Sequence, residues 1–166
     1  MTIYDVLRHE HYVIRAYLAR IRDLGLRRPA TRQRQFLQLQ TLLVAHAAAV
    51  EGIFHEPLLA HEATADLVRR ARVRHDVAAS LMEVLAALAP ADADWTAYFA
   101  VLSEVLEQQM KLEEKEVFRA ARKVLDTETA EAMGDAMLEM GKGSEALAKA
   151  ELPPLPVAGE GSRSLH

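Results

Sequence analysis

The sequence predicts an all-α fold, an up-down-up-down four-helix bundle with an additional C-terminal helix. Three observations lead there. Apolar residues recur at three- and four-residue steps along four long stretches, the signature of helices with one buried face. Short breaks containing Gly, Pro or Asp separate those stretches, and short connections make consecutive helices antiparallel neighbours. Composition agrees, because 51% hydrophobic and 27% charged residues with few Gly suit a soluble helical protein. At 166 residues the chain is one domain's worth, long enough to bury roughly 70% of its extended surface.

The first helix reads from about Ile3 to Leu24, with stripe Ile3, Leu7, His11, Ile14, Leu18, Ile21. Thr2 caps its start, Asp5 sits near the positive end of the dipole, and Gly25 stops it. The second runs from about Thr31 to Ala60 with stripe Leu39, Leu43, His46, Val50, Ile53 and Phe54; Pro57 is expected to bend or fray its last turn. After a break near His61 to Thr64, the third carries Leu67, Ala71, His75, Ala78, Met82 and Leu85. Pro90 to Asp94 form the next loop, with Asp92 or Asp94 as cap. The fourth helix carries Tyr98, Leu102, Val105, Gln109, Glu113, Val117, Ala120 and Val124. Trp95 and Tyr98 are expected to seal the bundle end. These elements make a bundle domain over residues 1–125. A weaker fifth helix spans residues 126–150, less stable for its Gly134, Gly141 and Gly143. Residues 151–166 have no period and many breakers, which reads as a flexible tail.

Charge and cysteine content narrow the function. A net charge of −4 and a pI near 6.0 argue against nucleic acid as a partner. The local groups Arg27, Arg28, Arg32, Arg34 and Arg69, Arg70, Arg72, Arg74 read as solvated faces. The absence of cysteine removes disulfides, thiolate metal sites and a Cys nucleophile. Arg8, His9 and Glu10 interrupt any secretory pattern, and no stretch reads as a membrane span, so a cytoplasmic location is expected.

Polar residues intrude on all four stripes. His11, His46, His75 and Glu113 each stand where the helical period asks for core. A buried imidazole or carboxylate needs a partner to offset lost hydration, and alternating helix directions bring these four to one end of the bundle. One turn away lie Val50 and Gln109, on the faces that carry His46 and Glu113. His9, His55, His61 and His166 fall off the stripes or in loops. His55 lies four residues after Glu51, a ligand-like spacing, but the pair is expected to face away from the other polar positions. Met133, Met137 and Met140 read as core filler rather than a copper site.

Four segments, IYDVLRHEHYVI, HAAAVEGIFHEPLL, RVRHDVAASLMEVL and QQMKLEEKEVFRAARKVL, resemble the hemerythrin-like HHE cation-binding family over roughly residues 2 to 125. That resemblance implies a four-helix bundle with a diiron centre, in which His11, His46 and His75 match ligands and Glu113 matches a bridging carboxylate. It also marks two departures, Val50 for a bridging glutamate and Gln109 for a histidine, so the chain reads as a degenerate member. Glu51 lies about 100° round the helix from Val50 and is a poor substitute. In the family, the helix-one and helix-two histidines serve one iron and those of helices three and four the other. The resemblance therefore leaves one two-histidine, one-carboxylate set, His11, His46 and Glu113, which suits a single non-haem iron with open positions. His75, Gln109 and Glu51 are weaker ligands in this reading.

The expectation is a non-enzymatic metal-binding protein. Iron is the leading metal, mononuclear rather than dinuclear, with zinc, manganese or no metal as the other options. Sensing or handling of oxygen, nitric oxide or iron would follow, with a metal ion and a small diatomic molecule as partners, and neither nucleic acid nor membrane. A metal-free structural or interaction bundle, its polar stripe residues hydrogen-bonded to one another, is the alternative. A mononuclear iron enzyme is a third possibility, for which the sequence shows no substrate pocket.

Overall fold

A computed structural model describes the backbone of residues 1–150 and the side chains of residues 1–142. The predicted tail, residues 151–166 with His166, lies outside the described residues. Every described element is helical. Helix α1 spans Ile3–Leu24 and ends in a short 3-10 turn, Gly25–Arg27. Helix α2 occupies Pro29–Leu58, α3 occupies Glu62–Ala87, and α4 runs through Ala93–Leu112, Glu113–Val117 and Phe118–Ala121. Helix α5 is Thr127–Ala150 and packs along α1 and α2.

Local chemistry accounts for the ends. Thr2 and Asp5 form a capping box, the Asp5 N–H donating to the Thr2 hydroxyl while the Asp5 carboxylate accepts from the Thr2 N–H. Gly25 takes φ 55°, a conformation that costs a side-chain-bearing residue more. Pro29 opens α2 at a position whose N–H would have no helical partner. Asp92 caps α4 by accepting from the Asp94 N–H.

Two helices contain a wide turn. In α2 the residues Val50–His55 form a π-helical segment, and the Glu56 N–H reaches back five residues to the Glu51 carbonyl. Pro57 follows at once; its missing donor and bulky ring disrupt regular α bonding, which favours the wider turn. Rather than fraying the helix end, Pro57 is carried through in Glu56–Leu58. In α4 the same widening covers Glu113–Val117, with the Phe118 N–H on the Glu113 carbonyl. No proline marks this second turn.

Burial follows the predicted stripe in α1 at every position, from Ile3 through His11 to Ile21. In α4 the stripe is shifted: Trp95, Phe99, Leu102, Leu106, Gln109 and Met110 are buried, while Tyr98 is partly exposed. Trp95 thus closes the bundle end with Phe36, edge to face at 5.6 Å, and Tyr98 does not. Arg32 is also no solvated residue. It is 1% exposed, its guanidinium lies 4.1 Å from the Trp95 ring centre, and it donates to the Pro90 carbonyl and the Thr96 hydroxyl. Met137 is buried and Met133 packs against the core, but Met140 is exposed.

Contrary to the sequence expectation, α2 is long and apolar enough to cross a membrane by length and composition. Part of that apolar surface is spent inside the bundle, at Phe36, Leu39, Leu43, Ala49, Val50, Phe54 and Leu58.

The core has two parts. One contains Ile3, Tyr4, Leu7, Phe54, Leu58, Val68, Phe118 and Ala121. The other contains Ile14, Leu18, Phe36, Leu39, Met82, Leu85, Trp95 and Leu102. The polar stripe residues form a layer between them, so both sides of that layer are sealed by apolar packing.

Candidate metal centre

His11, His46 and Glu113 are 0%, 8% and 1% exposed, and one donor atom from each lies within 4.8 Å of the others. Ligands about 2.1 Å from a tetrahedral metal stand roughly 3.4 Å apart, so small side-chain rotations close this set around an ion. The three come from α1, α2 and α4. Each is brought inward by its helical stripe, and Glu113 by the first residue of the wide turn.

The outward nitrogens are fixed. His11 Nδ1 lies 2.7 Å from Glu114 Oε1, which also accepts from Arg15 at 3.0 Å. His46 Nδ1 lies 2.5 Å from Glu10 Oε2. A carboxylate on Nδ1 sets the tautomer and leaves Nε2 as the free donor, the usual support of a metal-ligating histidine. His11 Nε2 is 3.3 Å from Glu113 Oε2. The pair has the distance of an ion pair without hydrogen-bond alignment, and both buried atoms lack a hydrogen-bond partner. Buried polar atoms of that kind are uncommon and costly. A cation between them would satisfy both.

Charge in the layer follows from burial and pairing. Burial resists ionisation of Glu113, but the approach of His11 and His55 outweighs it and holds the carboxyl below its ordinary range. Burial likewise disfavours a charged His11, yet Glu113 and Glu114 raise it on balance. His75 is pushed down to about 4, chiefly by burial, so it is a neutral imidazole at physiological pH. Neutral imidazole is the form that binds metal.

His75 joins the layer from α3, but not alone. Its ring stacks on His55, with centres 5.6 Å apart and planes at 22°. His55 is the main departure from the sequence reading. It is 0% exposed, and its Nε2 lies 3.1 Å from Glu113 Oε1. A straight helix places His55 about 180° from His46, on the far side. The wide turn absorbs about one residue, so the real offset is roughly 80°. That is why the α period missed it. Two signals were available, the Glu51–His55 spacing and Pro57 just beyond. Glu51 itself stays partly exposed and is paired with Arg72, which also binds Glu56. Its Oε2 is 3.5 Å from His55 Nδ1, so it lies behind a histidine rather than inside the layer.

Val50 points into the apolar cluster and is fully buried. Gln109 is 4% exposed, and neither of its amide atoms has a hydrogen-bond partner. His9 is exposed and His61 is partly so. A cavity of about 230 Å³ adjoins the layer, bounded by His11, His46, His75 and Glu113 on its polar side and by Ile14, Leu43, Ala78, Met82, Leu106 and Met110 elsewhere.

A helical bundle with histidines and a carboxylate converging from separate helices defines a class of cation-binding proteins. The model of the family described as hemerythrin HHE cation binding domain matches residues 2–121, and the chain belongs to that family. No curated protein and no solved structure matches it.

Proposed function

We propose that the protein binds a non-haem iron ion through His11, His46 and Glu113 and uses it to bind or sense a small diatomic molecule such as dioxygen or nitric oxide. The observation that carries this reading is the convergence of three buried donors, two of them without hydrogen-bond partners, in a layer sealed on both sides. Two imidazoles and one carboxylate leave coordination positions open, which a small ligand needs. When bound, iron would supply the redox-active centre. The chain's own part is to hold the donors, to fix the histidine tautomers through Glu10 and Glu114, and to offer a largely apolar cavity beside the donors.

Elemental analysis of protein purified from iron-supplemented cells tests the metal. Iron held through dialysis, with a visible-absorption change when nitric oxide is added anaerobically to the ferrous protein, is expected. Tightly held zinc with no response to nitric oxide would replace iron sensing with a structural metal. A second reading is a metal-free bundle, favoured by the Glu113 carboxylate lying within 3.3 Å of both His11 and His55 and so pairing with each of them. Protein that retains no metal after iron, zinc or manganese loading would establish that reading instead.

A further inference from the structure

We propose that His55 rebuilds a second metal position beside the first, so that with His75 and the Gln109 side-chain oxygen it binds a divalent transition metal on the far oxygen of Glu113. The inference rests on the reading of His11, His46 and Glu113 as a metal site and extends it to residues outside that set.

Three observations point the same way. Glu113 is approached on both oxygens, Oε2 by His11 at 3.3 Å and Oε1 by His55 at 3.1 Å. Each oxygen thus faces its own imidazole, as a carboxylate shared between two ions would. His55 shares part of the arrangement of the two histidines of the first position. Its Nε2 turns to Glu113, as that of His11 does, and its Nδ1 lies 3.5 Å from Glu51, on the side where His11 and His46 hold Glu114 and Glu10 by hydrogen bonds. Glu51 is in turn held by Arg72, much as Glu114 is held by Arg15. Finally, the Gln109 amide is buried with no partner for its nitrogen or oxygen. Gln109 stands one helical turn before Glu113 on the same inward face, an amide oxygen is a fair ligand for a divalent ion, and an ion beside Glu113 would give that oxygen a partner. Val50 and Gln109 therefore do not leave His75 isolated. The chain supplies a different imidazole from the widened turn, and the expected single metal becomes two.

Calorimetric titration of apo protein with Zn²⁺, checked by elemental analysis after dialysis, tests this. The parent should take up two equivalents, and His55→Leu should take up one while keeping the parent's helical circular dichroism. Glu51→Gln should weaken only the second equivalent, by roughly 10–100-fold. A parent that binds one equivalent, or a folded His55→Leu that still binds two, would overturn the proposal while leaving the first site standing. A parent that binds none would remove both. If His55→Leu does not fold, His75→Leu carries the test: one equivalent is expected, and two would overturn the proposal.

Discussion

Glu10 and Glu114 hold the outward nitrogens of His46 and His11, and neither stands on a buried stripe. Each is the sequence neighbour of a polar stripe residue, Glu10 of His11 and Glu114 of Glu113, yet each serves a histidine on another helix. Adjacent residues on a helix point about 100° apart, so a neighbour of an inward residue leans toward the next helix. Single-helix periodicity reveals the inward residue but not the cross-helix partner, which depends on how the helices are set against each other. Glu10→Gln and Glu114→Gln should each weaken the first metal by roughly 10–100-fold while the melting temperature of apo protein changes little. Competition against a chelator of known affinity measures this, and unchanged affinity in both variants would show that Nδ1 orientation is immaterial. Val50→Glu should act differently. It places a carboxylate in an apolar cluster beside Phe54 and Ala49, so apo protein should melt lower, and part of the loss should return when metal is added. Thermal melts with and without Zn²⁺ distinguish these outcomes.

Among the elements, α1 was fully legible in the sequence, because a straight helix obeys one period from end to end. Helix α2 was legible up to its wide turn and α4 only in part, since Phe99 and Leu106 take the buried places expected of Tyr98 and Val105 while Leu102 and Gln109 hold theirs; the polar layer lies at the two wide turns. Past Val50 the period no longer tells which side chain faces inward, so His55 went to the wrong face, while Glu51 stays outside the layer as expected, paired with Arg72. Stripe residues before the turn, His46 and Gln109, were placed correctly because no irregularity precedes them. Packing of α5 shows what composition alone misjudges. Its glycines lower helix propensity, but Gly134 lies so close to the start of α1 that a Cβ would be 2.3 Å from the Met1 carbonyl oxygen. Gly141 has open space at the same point of its side chain. Gly134→Ala should therefore destabilise the protein, since overpacking costs about 1–3 kcal/mol against a helix gain of about 1 kcal/mol. Gly141→Ala should stabilise it by about 0.5–1 kcal/mol. Denaturant midpoints of the two variants, moving in opposite directions, check the packing of α5 on α1.

For the whole molecule, the polar layer divides one bundle into two apolar clusters that pack independently of any ion. Apo protein should accordingly stay folded, with metal adding to stability rather than creating it. An ion that binds only the native state at about 100 times its Kd adds about 2.7 kcal/mol, which for a chain of this size is a rise in Tm of about 5–10 °C. A scan with and without saturating Zn²⁺ measures the shift, and an unmoved Tm would favour the metal-free bundle. The fold class was legible because amphipathic period and short connections together admit few other architectures; the inward placement of His11, His46 and Glu113 was legible because each interrupts an otherwise apolar stripe. The central claim is that His11, His46 and Glu113 hold a metal, and anomalous scattering at the iron edge from crystals of iron-loaded protein tests it most directly. A peak about 2.0–2.3 Å from a nitrogen of His11 and of His46 and from a Glu113 oxygen is the result predicted. A buried layer with no anomalous peak, iron appearing only on surface carboxylates, would contradict it.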